Sequence, residues 1–284
     1  PLINRLQDVC EEQAVLHVDE TPLQVLNEPG KTAQSQSYMW VMMTTQASVP
    51  VELYHYSASR SGDTPKALLE NFSGALMVDG YEGYNPVCQK NQLTRLGCWA
   101  HARRKFVEAQ RQQPKGKTGK ADVALGLIQK LYGIEKLSNE KSTAERYKIR
   151  QKQSKEVIEK LRRWLEKALK NTPPKTTLGK AVQYLNNQWP RLTAYVDDGG
   201  WPIDNNRAEN SIRPFVIGRK NWLFSASQAG AHTSANLYSL IETAKVNNLE
   251  PYTYQKEIFK LLPQAQSLND IDMLLPWNIN PVVA

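Results

Sequence analysis

The stretch Ala-Val-Leu-His-Val-Asp at residues 14–19 is a short, mostly apolar run that ends in an acid. It is too short for a helix, and Thr21 and Pro22 follow closely, so the pattern predicts a buried strand that stops near Asp19. The stretch Ala-Leu-Met-Val-Asp at residues 75–79 has the same form. Ligands of open sheets gather at the carboxyl ends of parallel strands. The two runs therefore predict that Asp19 and Asp79 face one crevice.

Further strands and one helix complete this first part of the chain. Apolar or alternating runs at residues 38–43 and 51–56 predict a second and a third strand, joined by a hairpin turn at residues 47–50. Asp63 starts a helix that ends at Gly74, and residues 93–99 predict a fifth strand. The order of strand, strand, strand, helix, strand indicates a mixed α/β fold with a five-stranded sheet.

The positive charge of the chain is concentrated in one segment. The formal net charge is +8, with a pI of about 9.3. Residues 103–180 hold 22 Lys and Arg against 8 Asp and Glu, whereas the remainder holds 14 against 20. Helical spacing of apolar residues in the same segment predicts amphipathic helices. We favour contact of this segment with phosphates over a set of merely solvated helix faces.

Several protein classes are disfavoured by the composition. No apolar run is long enough for a membrane span and no signal peptide is evident, so a cytoplasmic protein without a membrane partner is expected. Cys10, Cys88 and Cys98 give neither a disulfide framework nor a paired zinc motif, although Cys98 and His101 are closely spaced. The chain opens with Pro1 rather than Met, which predicts a piece of a longer protein.

A third acid lies in the stretch Asp-Asn-Asn-Arg-Ala-Glu-Asn at residues 204–210. Asp204 caps a predicted helix to Arg213, in which Asn205, Glu209 and Arg213 share one face. A face with an amide, an acid and a guanidinium suits a metal-bound phosphodiester. The alternative is an exposed helix with a Glu209 to Arg213 ion pair. Divalent Mg²⁺ prefers carboxylate, water and phosphate oxygens, and it relieves repulsion between close acids.

Six motifs in the same order resemble the catalytic domain of the insertion sequence 66 family of bacterial transposases. The resemblance covers nearly the whole chain. The motifs are His-Val-Asp-Glu-Thr-Pro at 17–22, Val-Asp-Gly-Tyr-Glu-Gly-Tyr at 78–84, Gly-Cys-Trp-Ala-His-Ala-Arg-Arg-Lys-Phe at 97–106, the 204–210 stretch, Ser-Leu-Ile-Glu-Thr-Ala-Lys at 239–245 and Leu-Leu-Pro-Trp at 274–277.

The resemblance implies a ribonuclease-H-like fold with an Asp-Asp-Glu triad. Asp19, Asp79 and Glu209 fill the three motif positions as catalytic residues and as ligands of two Mg²⁺ or Mn²⁺ ions, with Asp19 bridging the two. The expected domains are residues 1–112 as the first part of the core, residues 113–195 as a basic helical insertion, and residues 196–284 as the completion of the core with the Glu209 helix and the C-terminal helices.

The implied activity is metal-dependent DNA cleavage at transposon ends, followed by transfer of the freed 3′-hydroxyl into target DNA. Such an enzyme acts in the cytoplasm at the nucleoid as a homo-oligomeric synaptic complex, and the family often relies on accessory transposition proteins. Two rivals stay open: a nuclease or Holliday-junction resolvase of the same fold, and a non-catalytic DNA-binding module. A tyrosine recombinase using Tyr81 or Tyr84 is disfavoured, because the required Arg and His constellation is missing.

Supporting roles fall on residues around these motifs. Candidate phosphate contacts are Arg103, Arg104 and Lys105 after the fifth strand, and Arg213, Arg219 and Lys220 after the Glu209 motif. Candidate positioning residues near the acids are His101, Asn205 and Asn206; for His101 a purely structural role is the competing interpretation. Trp222 and Phe224 are candidates for stacking on a frayed base or for core positions.

Overall fold

A computed structural model describes residues 1–45, 49–113 and 118–279 of the chain. The chain divides into two compact units, which we call the sheet unit and the helical unit. The sheet unit comprises Pro1–Leu76, Tyr81–Thr94 and Arg207–Ala284, and the helical unit comprises Met77–Gly80 and Arg95–Asn206. Among the described residues, no helix combines the length and apolar character that crossing a membrane requires. The predicted division at residues 112 and 195 stays a prediction.

The strands form one mixed sheet. Its strands are β1 (Val15–Asn27), β2 (Gln36–Thr44), β3 (Glu52–Ser57), β4 (Ala75–Val78), β5 (Thr94–Gly97) and β6 (Ser225–Ser227). The order is β3-β2-β1-β4-β5, and β6 pairs with β1 off this path. β1 and β2 run antiparallel, as do β2 and β3, whereas β6 runs parallel to β1. The predicted mixed α/β class is confirmed, with β6 as an additional strand.

The other regular elements of the described chain are helices. They are α1 (Leu2–Glu11), α2 (Asp63–Leu68), α3 (Asn85–Lys90), α4 (Trp99–Arg111), α5 (Lys120–Ser138), α6 (Thr143–Ile149), α7 (Lys155–Lys170), α8 (Thr177–Asn187), α9 (Trp189–Thr193), α10 (Asn206–Ser211), α11 (Arg213–Trp222), α12 (Gln228–Val246), α13 (Pro251–Leu261) and α14 (Leu268–Asp272). A π-helical turn, Arg150–Ser154, joins α6 to α7, and short 3₁₀ turns cover Glu82–Tyr84, Ala194–Asp197 and Leu262–Gln264.

Strand β1 is longer than the sequence pattern predicts. It does not stop at Thr21-Pro22; its pairing with β2 continues to Gln24 opposite Gln36. A proline fits within a strand where its nitrogen faces away from the ladder. The burial pattern changes after Asp19 from continuous to alternating, which still gives β1 one apolar face. Asp19 therefore lies inside β1 and not at its carboxyl end, contrary to the prediction.

Helix α2 is shorter than predicted, because it ends at Leu68 and not near Gly74. The side-chain amide of Asn91 donates to the carbonyls of Leu69 at 2.6 Å and Phe72 at 3.2 Å. These bonds satisfy acceptors that a longer helix would use internally. The predicted hairpin turn at residues 47–50 lies partly outside the described residues.

The edge of the sheet at β3 is covered by α12. The hydroxyl of Ser239 accepts a hydrogen bond from the Tyr54 amide at 2.8 Å. The hydroxyl of Thr243 accepts from the Glu52 amide at 3.1 Å and donates to the Glu52 carbonyl at 3.0 Å. Side chains of α12 thus satisfy backbone groups that an exposed edge strand would offer to another chain.

Apolar residues of the sheet and of the helices that cover it form a core of the sheet unit. The sheet presents alternate residues of β1, β2 and β3, and α11 and α12 pack their apolar faces against them. The buried members are Leu23, Val25, Met39, Val41, Tyr54, Tyr56, Ile212, Phe215, Ala231 and Ala235.

The helical unit has its own core, built from residues at helical spacing. Trp99 at the start of α4 is fully buried, and its indole nitrogen donates to the Leu192 carbonyl at 2.6 Å. Phe106 packs edge-on against Trp164 of α7, with ring centroids 5.7 Å apart. Other buried members include Ile128, Leu131, Leu161, Leu165, Val182 and Leu185. The predicted amphipathic helices are confirmed here.

A buried arginine joins the elements of the helical unit. Arg150, on the π-helical turn, is completely buried. Its guanidinium binds Glu135 of α5 at 2.5 and 2.9 Å. It also donates to the carbonyls of Tyr195 at 2.8 Å, Trp201 at 2.9 Å and Asp198. One side chain therefore fixes α5 and the loop that leads toward α10.

Candidate active site

Asp19 lies on β1 in the sheet unit, where it is half-buried. It is opposite Val41 in the pairing with β2, and its Oδ1 accepts a hydrogen bond from the Glu20 amide at 3.0 Å. Adjacent strand residues point to opposite faces of a sheet. Asp19 therefore shares a face with His17 and Thr21, and Glu20 points the other way.

Glu20 is held by a network on its own face of the sheet. Arg60 donates to Glu20 Oε1 at 2.6 Å, and the Tyr84 hydroxyl donates to Oε2 at 3.0 Å. The same guanidinium lies over the Tyr81 ring, 4.1 Å from its centroid. These contacts give Tyr81, Tyr84 and Glu20 structural partners. The alternation of apolar and polar residues in the sequence did not predict these contacts.

Asp79 is in the helical unit, directly after β4, and it is half-buried. Its backbone carbonyl accepts a hydrogen bond from Arg95 Nη2 at 2.9 Å. A Cβ on the next residue, Gly80, would come within 3.0 Å of the Tyr184 ring. Burial, and then the neighbouring Cys98 and Asp79, raise the pKa of the Tyr184 hydroxyl. A glycine after Asp79 thus permits close approach of this turn to α8.

Glu209 lies on α10 in the sheet unit, half-buried. The predicted continuous helix to Arg213 is wrong, because α10 ends at Ser211 and a new helix, α11, begins at Arg213. Pro214 in the first turn of α11 has no amide proton to continue a helical ladder. Asn205 precedes α10. Asn205, Glu209 and Arg213 therefore do not form one helix face.

The loop before α10 is anchored within the helical unit. The buried Asn205 donates its backbone amide to Cys98 Sγ at 3.2 Å. Asp204 accepts from the Asn206 amide at 3.1 Å, the Asn206 side chain at 2.8 Å and the Tyr132 hydroxyl at 2.8 Å. Asp204 lies two residues before α10 and fixes its first residue in an Asx turn, and the predicted capping role of Asp204 stays a prediction. Asn206 is thereby fixed by Asp204.

The candidate phosphate contacts on α4 separate into two groups. Arg103 and Arg104 are exposed and, with Gln129, Tyr132 and Asn206, line a cavity of about 520 Å³ within the helical unit. Lys105 lies over the Tyr184 ring, 4.8 Å from its centroid. On the preceding turn, His101 has a ring nitrogen within 4.8 Å of Cys98 Sγ.

The candidate contacts of the sheet unit lie on α11. Arg213 and Lys220 are exposed, and Arg219 is half-buried. Arg219 Nη1 donates to the Thr21 hydroxyl at 3.0 Å. Because Thr21 follows Asp19 by two residues on β1, this guanidinium lies beside the sheet face that carries Asp19.

Two family models cover most of this chain. Residues 1–233 match the model described as "Transposase IS66 family", and residues 239–277 match the "IS66 C-terminal element". The chain belongs to the IS66 transposase family. This membership confirms the resemblance inferred from the motifs.

The relatives of this IS66 chain include longer proteins of Sinorhizobium fredii. Uncharacterized protein y4qI is 30% identical over 97% of the chain and 52% of its own length. Uncharacterized protein y4jD is 30% identical over 98% of the chain and 56% of its own length. The chain thus spans about half the length of these curated relatives. No solved structure matches it.

The IS66 C-terminal element begins at the point where α12 covers the sheet edge. Its first residue, Ser239, and the nearby Thr243 make the hydrogen bonds to β3 described above. A small hydroxyl side chain suits this role, because it both donates and accepts at short range. The resemblance of residues 239–245 to the family motif therefore has a structural explanation.

A polar cavity of the sheet unit was not predicted from the sequence. Glu52, Arg207, Ser211 and Glu242 line a space of about 290 Å³. The Ser211 hydroxyl donates to Glu52 Oε1 at 2.7 Å. Burial raises the pKa of the Glu52 carboxyl, which the Ser211 bond partly offsets. The alternating pattern of residues 51–56 had no feature that distinguished Glu52 from a solvent-facing strand residue.

Proposed function

We propose that this chain is the catalytic region of a DNA transposase. It cleaves DNA at transposon ends and transfers the resulting 3′-hydroxyl into target DNA. Membership of the IS66 transposase family carries this proposal, because the matched residues 1–233 include Asp19, Asp79 and Glu209. The relatives are about twice as long, so the activity of the whole protein is likewise a proposal.

The metal ligands in this proposal are Asp19, Asp79 and Glu209, which bind two Mg²⁺ or Mn²⁺ ions. The donor set fits, because all three offer carboxylate oxygens, which hard divalent cations prefer. Each acid is half-buried and held by the fold. When bound, the metals supply an activated water or 3′-hydroxyl and stabilise the leaving oxygen.

Residues near the acids orient them for this role. The Glu20 amide donates to one oxygen of Asp19, which fixes the orientation of this carboxylate on β1. Arg95 holds the carbonyl of Asp79, which sets the turn after β4. In the proposal, His101, Asn205 and Asn206 position the loop and helix around the acids. The buried Asn205 and the bonds of Asn206 to Asp204 support a positioning role for these two asparagines.

Basic residues hold the DNA backbone in this proposal. Arg103 and Arg104 contact phosphates at the cavity on α4, and Lys105 contributes its charge from above Tyr184. Arg213, Arg219 and Lys220 hold the strand on the side of the sheet unit. Contacts to phosphate position DNA without reading its sequence. A ribonuclease-H-like fold is part of this proposal, and the mixed α/β sheet supports it.

The partners follow from the reaction. Two transposon ends have to be joined to one target, so we propose a homo-oligomeric synaptic complex acting in the cytoplasm on the nucleoid. Accessory transposition proteins are further proposed partners, because the family often relies on them.

The test is a strand-transfer assay on a DNA substrate with a pre-cleaved 3′ end, in the presence of Mg²⁺ or Mn²⁺. A joined product is expected from the wild-type chain and from Asp63→Asn, a control at an exposed acid of α2. Nicking without joined product would identify a nuclease or resolvase. DNA binding without either reaction would identify a non-catalytic DNA-binding module.

A further inference from the structure

Leu223 occupies a strained turn between α11 and β6. Its backbone angles are φ 65° and ψ −51°. The amide of Phe224 donates to the Trp222 carbonyl at 2.8 Å, which closes a γ-turn with a positive central φ. L-residues with large side chains rarely adopt this conformation. Such strain persists only where the surrounding structure imposes it, and it is concentrated at functional sites and ligand clamps.

Both flanks of this turn are fixed. On the helix side, Trp222 packs edge-on against the buried Phe215, with ring centroids 5.3 Å apart, and the Leu223 amide donates to the Arg219 carbonyl at 2.7 Å. On the strand side, Ser225 pairs with Val25 of β1. The side chain of Asn27 adds a bond to the Ala226 carbonyl at 2.9 Å. The fold thus holds Leu223 in its strained position.

The turn presents apolar side chains to solvent on a basic segment. Leu223 is 62% exposed and Phe224 is 41% exposed. Residues 217–224 include Arg219 and Lys220 and no acid. Even with Ile217, which is 55% exposed on α11, these apolar side chains are far too few for a stable protein interface. Their combination with cations suits a polyanion that also has flat apolar faces, which describes DNA with an exposed base.

A cavity of about 430 Å³ adjoins the turn. Its lining includes Leu223, Arg219, Leu23, Gln24, Ser35 and Gln36. The volume falls in the range of small-ligand sites. Amide and guanidinium groups form hydrogen bonds with base edges, so this lining is suited to an unpaired base.

The position along β1 relates this cavity to Asp19. Leu23 follows Asp19 by four residues on the same strand, a distance of about 13 Å at about 3.3 Å per residue. DNA rises by about 3.4 Å per base pair. A duplex cleaved at Asp19 would therefore reach Leu223 within a few base pairs.

We propose that Leu223 and Phe224 form a wedge that separates base pairs at the end of bound DNA, and that the adjacent cavity holds the freed base. This inference rests on the proposed function. Apolar wedges inserted between bases unstack them, and stacking of a base on an aromatic ring tolerates any sequence. Arg219 and Lys220 neutralise the phosphates beside the wedge.

The experiment measures binding of the 284-residue chain to two labelled DNA probes of the same sequence. One probe is fully paired, and the other has a short unpaired tail at its end. The wild-type chain should prefer the tailed probe by about tenfold, the size expected for one stacked base. The double variant Leu223→Gly with Phe224→Ala should lose this preference and bind the paired probe within about twofold of wild type.

The variants are designed to remain folded. Glycine adopts positive φ without strain, so Leu223→Gly relieves the turn while removing the side chain. Phe259→Ala is the matched control, because Phe259 is 58% exposed on α13 of the same unit. It should leave both affinities unchanged.

Four outcomes would overturn the wedge. Equal binding of both probes by the wild-type chain would refute it and leave the proposed function standing. An equal loss of affinity for both probes in the double variant would identify a general DNA contact. Loss of self-association in the double variant, measured by sedimentation, would identify a protein interface. Failure of the wild-type chain to bind either probe would refute the proposed function together with the wedge.

Discussion

Replacement of Arg150 by methionine should unfold the helical unit at much lower denaturant concentration. Arg150 is fully buried and binds Glu135, whose side chain is 11% exposed, at 2.5 Å. It also donates to the carbonyls of Tyr195, Asp198 and Trp201. Methionine fills a similar volume but offers no donor. The substitution therefore leaves several carbonyls without this donor, and it leaves the Glu135 carboxylate with its more distant partner Arg146, at 3.4 Å.

The expected cost can be derived from these contacts. Removal of one partner from a buried ion pair costs about 3–5 kcal/mol, because the remaining charge stays desolvated. Each backbone acceptor that loses its only partner adds about 1–3 kcal/mol, although relaxation and water entry recover part of this. We expect a loss of about 4 kcal/mol in the free energy of unfolding. That is a large share of the stability of an ordinary domain.

Urea denaturation followed by tryptophan fluorescence measures this loss. The double variant Arg150→Met with Glu135→Leu should recover about half of it, because an apolar pair often replaces a buried ion pair without net cost. Lys160→Ala is the control, since Lys160 forms an exposed ion pair with Glu156 on α7; it should cost no more than about 0.5 kcal/mol. A loss below about 1 kcal/mol for Arg150→Met would refute the claim that this residue fixes the loop.

Two further predictions concern stability. Burial raises the pKa of Glu52 above its unfolded value, so the stability that this carboxyl contributes is lost as pH rises through the folded pKa. Glu52→Gln should therefore raise the melting temperature at neutral pH, and this gain should shrink in acid. An equal gain at every pH would contradict burial as the cause. Gly199→Ala should destabilise the helical unit by about 1–3 kcal/mol, because the new Cβ collides with the Thr143 carbonyl oxygen. Gly133→Ala, in open space on α5, should instead stabilise it by about 0.5–1 kcal/mol. Denaturation curves should give changes in the free energy of unfolding of opposite sign for the two variants, and changes of the same sign would refute this reasoning.

The parts of the fold that sequence patterns predicted depend on local signals. Strands β2 to β5 are short apolar or alternating runs, and α4 to α8 repeat apolar residues at helical spacing. These patterns specify burial directly. The continuation of β1 through Pro22 was not predictable in this way, because it depends on pairing with β2 and β6 rather than on the residues of β1 alone.

Tertiary contacts decided the remaining differences. The break between α10 and α11 was marked in the sequence only by Pro214. Proline is common in the first turn of a helix, but it does not show where the preceding helix ends. Arg150 lies in a run of basic residues and looks like one more solvated charge, yet it is fully buried. Its partners come from α5 and from residues 195–201, which are distant in sequence.

The candidate site was predictable to a similar degree. Asp79 follows β4 as the pattern indicated, whereas Asp19 lies within β1. The joint role of Asp19, Asp79 and Glu209 stays a prediction that rests on the family motifs. The sequence did not show that Leu223 and Phe224 are exposed, because buried and exposed aromatic residues have the same local pattern in this segment. In the structure Trp222 packs against Phe215, whereas Leu223 and Phe224 face solvent.

The most direct test of the central claim is Mg²⁺-dependent DNA cleavage by Asp19→Asn, measured beside Asp79→Asn, Glu209→Gln and the control Asp63→Asn. Loss of an outer-shell partner of a metal ligand already costs about 10–100-fold. Each of the three triad variants should therefore lose at least about a hundredfold in rate while remaining folded, and Asp63→Asn should retain wild-type activity. Wild-type cleavage by Asp19→Asn would contradict the account.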